Sequence, residues 1–198
     1  GRIASEFSGL RDDIISVVST NKVLVRSVEK ANASYGAADQ KEILAAIKDK
    51  DRRWVSGEWE LLSLDFDSEA LEAIAEVKAM ARQPVSEIFV TDRQGALVAA
   101  SGLTSDYYQA DEAWWEKAYN GGAGSFYLSE LEYDASSGIY AFSLATPIYN
   151  QAREAIGILK LVIDKEKAFR DMFNVLPGRA VFAGVVRSDK GDIFSLNL

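Results

Sequence analysis

The sequence predicts an α+β fold: an antiparallel sheet of about five strands, with a long N-terminal helix and further helices packed on it. Three features carry that prediction. Apolar residues recur at helical spacing from Ile3 to Val77. From Glu87 onward the period becomes two, as a strand requires. One short helical stretch, Asp111–Tyr119, interrupts the strand-like runs and is closed by Asn120-Gly121-Gly122, residues that tolerate a left-handed backbone.

The elements follow in chain order. Ile3, Leu10, Val17 and Leu24 interleave with Phe7, Ile14, Asn21 and Val28 at 4-3 spacing. That pattern predicts a helix of about 28 residues, roughly 42 Å long at 1.5 Å per residue. Its stripe can pack on its own domain, or form a two-helix dimer seam in which Asn21 fixes the register. Gly36 marks a turn, and Ile43, Leu44, Ile47 and Trp54 give a second helix over 39–54. Asp67-Ser68-Glu69 caps a third helix, which Pro84 bounds. Residues 87–91 and 96–101 form a hairpin that turns at Asp92-Arg93-Gln94-Gly95. Runs 124–132, 139–148 and 155–163 supply the other strands. A short helix over 165–174 and a hairpin of 180–187 with 192–197 complete the chain. The reading divides it into the N-terminal helix (1–34), a sheet domain (35–165) and a C-terminal extension, or the start of a second module (166–198).

Composition removes several functions. The formal net charge is −8 and no Lys/Arg run is present, which argues against nucleic acid as a partner. The chain has no cysteine and no histidine. Ser-His-Asp and Cys-His nucleophiles and ordinary zinc sites are therefore out of reach. An enzyme would have to work with paired carboxylates, and no pair stands out by spacing. We expect no catalytic residues, no metal and no cofactor. No apolar run approaches a membrane span. The opening Gly1-Arg2-Ile3 reads as the middle of a helix, so an excised piece of a membrane-anchored parent is expected.

The densest chemistry lies in TSDYYQADEAWWEKAY, residues 104–119. Aromatic walls with a few placed charges suit a pocket for a small polar or cationic ligand. The candidate ligand-binding residues are Tyr107, Tyr108, Glu112, Trp114 and Trp115. Tyr127 and Tyr140 join them from the flanking strands, and Tyr133 and Asp134 from the turn between those strands. Each has a structural alternative. Asp111 and Glu112 can simply begin a helix, Asp134 can close an Asx turn, and the tyrosines can cover the sheet. Adjacent tryptophans on a helix do not share a face, so one is expected in the core and one toward the pocket.

Taken in order, the FVTDRQG hairpin, SDYYQADEAWW, the glycine-rich turn, YDASSGIYAFSLATPIY and GILKLVID resemble the Cache (PDC) family of extracytoplasmic sensor domains. The resemblance covers residues 85–165 by motif and 1–165 by layout. It implies a PAS-like antiparallel sheet and a place outside the bacterial inner membrane, on a histidine kinase, chemoreceptor or cyclic-di-GMP enzyme. Amino-acid-binding members carry an Arg-x-Trp-aromatic motif, with a tyrosine five residues earlier and a late aspartate. Trp114, Trp115 and Tyr107 match that motif, whereas Glu112 stands where the arginine would be and Val162 where the aspartate would be. No Arg or Lys lies between Arg93 and Lys117, so the reversed charge at Glu112 favours a cation or a neutral polar compound. The expected function is an extracytoplasmic, periplasmic ligand sensor in signal transduction, dimeric through its N-terminal helix. The alternative is a dimerisation module of a receptor with no small-molecule ligand.

Overall fold

The structure is a computed structural model describing residues 12, 14–18, 21–81, 84–129, 132–134, 139–164, 167, 184–186 and 193–195. For 132–134, 139, 140, 184–186 and 193–195 the description covers the backbone. The chain divides into two compact units, Gly1–Lys165 and Glu166–Leu198. In the second unit β7 (Gly184–Val186) pairs antiparallel with β8 (Ile193–Ser195), inside the span expected of the tail hairpin. The expected helix over 165–174 lies outside the described residues apart from Lys167, which is helical.

In the first unit the expected unbroken N-terminal helix is corrected at Asn21. Residues 14–18 are helical. Asn21 then adopts extended angles (φ −79°, ψ 90°), and its side chain accepts from the N–H groups of Val23 and Leu24, both at 3.0 Å. Asparagine thus caps a new helix, α1 (Lys22–Ala33). Of the described stripe residues, Ile14, Leu24 and Val28 are buried within the chain itself, whereas Val17 and Asn21 are partly exposed. Residues 1–11 of the expected helix lie outside the described residues.

Asp39 and Glu42 form a reciprocal capping box that starts α2 (Gln40–Arg53). A wide turn, Trp54–Glu58, leads into α3 (Trp59–Ser63), with Gly57 supplying φ +104°. Asp67 caps α4 (Ser68–Met80) as the sequence predicts, accepting from Ala70 N–H at 3.0 Å. The same carboxylate accepts from the Ser27 hydroxyl at 2.9 Å and the Lys30 ammonium at 2.9 Å, fastening α4 to α1.

The fold class is the one predicted. One antiparallel sheet holds β1 (Val85–Asp92), β2 (Leu97–Ala100), β3 (Tyr127–Leu128), β4 (Glu132–Asp134), β5 (Ile139–Tyr149) and β6 (Ala155–Asp164). Its order is β2-β1-β6-β5-β3, with β4 also pairing β5. β3 and β4 occupy one edge in succession, so the sheet has five strand positions. Within the single predicted strand over 124–132, the Ser129 hydroxyl accepts from Ser143 N–H at 2.8 Å.

Residues paired across an antiparallel sheet face the same side. Ile88, Val90, Leu144, Leu159 and Leu161 form one buried face, against which α1 and α4 pack. Contact is tightest at Gly157, where a Cβ would stand 2.2 Å from Thr91 O and 2.8 Å from Val28 Cγ1. The other face carries a second apolar cluster, containing Phe89, Ala145 and Ile158 with Ile43, Ile47, Trp54, Tyr107, Trp114 and Trp115.

Candidate functional site

One row of residues crosses this second face: Ala100, Phe89, Lys160, Ala145 and Tyr127 are successive partners over the five strand positions. Lys160 is thus a charge at the centre of a row that is otherwise apolar or aromatic. The next row contains Glu87, Val162 and Ser143, with Ser129 bonded to Ser143. Glu87 and Ser129 are buried there. Asp164 pairs with Ala141 one row further on, in phase with Val162 and Lys160.

Over this face lies α5 (Ala113–Tyr119). Its start is set by Glu112 in extended backbone (φ −84°, ψ 132°), whose carbonyl accepts from Trp115 N–H at 2.9 Å and Glu116 N–H at 3.1 Å. The Glu112 side chain makes no capping bond. Asn120 at φ 48° and Gly121 at φ 61° end the helix, as expected of αL-tolerant residues.

The two tryptophans take different roles. Trp115 is 6% exposed, stacks on Tyr119 with centroids 4.6 Å apart, and donates from Nε1 to Thr91 Oγ1 at 2.9 Å. It fastens the helix to β1. Trp114 is 9% exposed and meets Phe89 edge-on at 5.9 Å. The Lys160 ammonium lies 4.3 Å from the Trp114 ring centroid and 5.5 Å from that of Phe89, within cation–π range of both. Burial pushes the Glu112 carboxyl above the ordinary glutamate range, and the charges of Asp106 and Asp111 push the same way while Lys160 opposes them.

Tyr107 and Tyr108 are placed by Asp51, whose Oδ1 accepts from both backbone N–H groups at 2.9 and 3.0 Å. Tyr107 packs on Trp54 at 5.9 Å, and Trp54 Nε1–H donates to Thr104 O at 3.0 Å. Burial, then the charges of Asp92 and Asp65, raise the Tyr107 phenol above its ordinary range. Tyr108 is half-buried, with Lys48 Nζ 5.3 Å from its ring centroid. Tyr127 shares the Lys160 row and has Lys117 Nζ 5.6 Å from its ring centroid.

Of the nine predicted residues, Trp114, Glu112 and Tyr127 are therefore drawn together around Lys160. Trp115 anchors the helix, and Tyr107 and Tyr108 belong to the aromatic cluster nearer α2. Asp134 pairs with Ile139, in phase with Ala141 and Ala145. Tyr133 pairs with Tyr140 one residue out of phase, at register positions of the α1/α4 face. The sequence argument passed over Lys160, although its signal was legible: one charge in the middle of the apolar strand AIGILKLVID. That lysine corrects the inference that Glu112 alone sets the sign of the site. The arrangement offers a cation, a partly desolvated carboxylate and aromatic faces, which is equipment for binding.

No protein-family model matches the chain, and no curated protein matches it. Solved structures do show a likeness. An extracellular ligand binding receptor from Desulfohalobium retbaense is 14% identical, with a TM-score of 0.49, covering 84% of this chain and 29% of that one. The sensor domain of the V. cholerae histidine kinase DctB is 18% identical at TM-score 0.45, covering 85% of this chain and 58% of that one. The sensory domain of the Campylobacter jejuni chemoreceptor Tlp3 with isoleucine bound is 16% identical at TM-score 0.46, covering 96% and 72%. The chain spans less than two thirds of the first two structures. No helix among the described residues is long and apolar enough to cross a membrane.

Proposed function

We propose that residues 35–165 are the extracytoplasmic, ligand-binding sensor domain of a membrane-anchored bacterial signal-transduction protein. The parent is a histidine kinase, chemoreceptor or cyclic-di-GMP enzyme. A small polar metabolite binds on the face of Tyr127, Lys160 and Phe89, beneath Trp114 and beside Glu112. One observation carries the reading: a half-buried lysine held against two aromatic rings, with a carboxylate displaced from its ordinary pKa by burial and neighbouring charge. Desolvating a charge at the centre of a strand costs free energy, and a cation kept beside aromatic faces there suits the binding of a polar ligand. The order of motifs resembling Cache domains supports the same reading. Ligand contacts would bias the position of α5 against the sheet, and the parent would read that bias as a population shift.

Thermal-shift titration with amines, carboxylates and amino acids tests the proposal. Saturation at 100 times Kd should add about 2.7 kcal/mol of stability. Lys160→Met and Glu112→Gln should each weaken the response to the stabilising compound. A panel in which nothing stabilises the protein, or a ligand indifferent to both substitutions, would overturn this site.

A further inference from the structure

The end of β1 and the turn after it are held from both sides of the sheet. On the site side Thr91 Oγ1 accepts from Trp115 Nε1–H at 2.9 Å. From the other side the C-terminal end of α1 reaches the next two residues. Tyr35, just past that helix, donates its hydroxyl proton to Asp92 Oδ2. Asn32 Oδ1 accepts from Arg93 N–H at 3.2 Å, while its Nδ2 donates to Ile156 O at 2.8 Å. Val28 adds the close approach at Gly157 and Thr91.

The Asp92 carboxylate that receives Tyr35 also shapes the turn, its Oδ1 accepting from Gln94 N–H at 2.8 Å and Ala96 N–H at 3.1 Å. Burial raises its pKa against the opposing pull of these hydrogen bonds, so each bond bears on a desolvated group. The turn in its turn supports the segment leading into α5. Gly95 O accepts from Gln109 N–H at 2.8 Å, and Tyr107 O accepts from Leu97 N–H at 3.2 Å. Ala110 sits so close to Gly95 that a Cβ there would lie 2.4 Å from the Ala110 methyl carbon.

We propose that residues 91–96 form a mechanical junction, in which Thr91 and Gly95 hold the α5 side and Asp92 and Arg93 hold the end of α1, so that a displacement of either helix is felt by the other. The junction assigns a route to the sensor reading above. It is testable without any ligand, so the two stand or fall separately.

Hydrogen exchange on the full chain reads the coupling. Tyr35→Phe and Asn32→Ala change the α1 side; amides 113–119 on the far side should exchange about fivefold faster, the scale of a 1 kcal/mol loss in local opening. Thr91→Val changes the α5 side, and amides 29–33 should accelerate comparably. Amides 73–78 of α4 lie outside the junction; their local openings, read from denaturant-independent exchange, should not change, while global unfolding shifts by the loss that urea melting of the same variant gives. Arg26→Ala, which removes an exposed α1–α4 ion pair to Glu69, should leave α5 unaffected. Acceleration confined to the mutated side, equal acceleration in α4, or a response of α5 to Arg26→Ala would each overturn the junction.

Discussion

Consider the hydrogen bond from Trp115 on α5 to Thr91 in the sheet. Trp115 Nε1 lies 2.9 Å from Thr91 Oγ1, and Thr91 is fully buried. The hydroxyl has one other contact, toward Ile158 O at 3.5 Å, which is too long to hold it firmly. Thr91→Val preserves volume and leaves the indole N–H without its acceptor. An unsatisfied buried donor costs about 1–3 kcal/mol. For a unit of this size, roughly 2–4 °C in Tm accompanies each kcal/mol, so the midpoint should fall by roughly 2–12 °C. Trp115→Phe removes the same bond and also shrinks the ring, adding about 1 kcal/mol of lost packing. The double variant faces an apolar ring with an apolar side chain and strands no polar group. It should therefore be more stable than the sum of the single losses predicts, by about 1–2 kcal/mol. Urea unfolding followed by circular dichroism, which does not depend on Trp115 as a reporter, closes the cycle. Additive losses, or a neutral Thr91→Val, would refute the assignment of Trp115 as the pin of α5.

Other perturbations are as definite. Asp67 sits below its ordinary pKa because the hydrogen bonds of Lys30, Ala70 N–H and Ser27 outweigh the opposing effect of burial. Its stabilising contribution is present above the unfolded aspartate pKa and is lost as pH falls through the depressed folded value, so acid unfolding below about pH 4 should be less steep in Asp67→Asn. Asp67→Ala should cost about 0.5–2 kcal/mol from the lost cap alone, read by thermal melting at neutral pH. Gly157→Ala would press a methyl group to 2.2 Å from Thr91 O, and a loss of at least 1–3 kcal/mol in urea unfolding is expected by the scale of overpacked cores (about that range). Lys160→Met removes the charge that holds the Glu112 pKa down, so NMR titration should show that carboxyl titrating still higher than in the parent chain.

The fold was legible wherever a local rule agreed with the global one. Asp67 announced a helix start, Gly95 the hairpin turn and Asn120-Gly121 the end of α5, and each is used as read. Asn21 misled because one residue type serves two devices. At a heptad core position asparagine fixes the register of a coiled coil, whereas before a helix its short amide caps the next N–H groups. Periodicity continues across the break, since Val18 and Leu24 both remain buried on either side of it. Only the main-chain angle at Asn21 separates the two cases. On the edge strand predicted over 124–132 a side chain also enters the ladder, since the Ser129 hydroxyl accepts from Ser143 N–H.

The site was less legible because strand order, not sequence distance, decides which residues meet. The argument from Glu112 looked for a compensating cation along the chain between Arg93 and Lys117. The cation arrives from β6, the last strand of the domain, which the topology inserts between β1 and β5. Once that central place is known, the row of Phe89, Lys160, Ala145 and Tyr127 follows from pairing alone. The same reasoning separates the two tyrosine candidates on the flanking strands. Tyr127 is in register with Lys160, while Tyr140 stands one residue out of phase with Ala141. Charge in a central strand is therefore the feature to weigh first in such a sheet. Desolvation makes it costly to keep there, and its neighbours on the row, rather than its neighbours in sequence, identify what it is kept for.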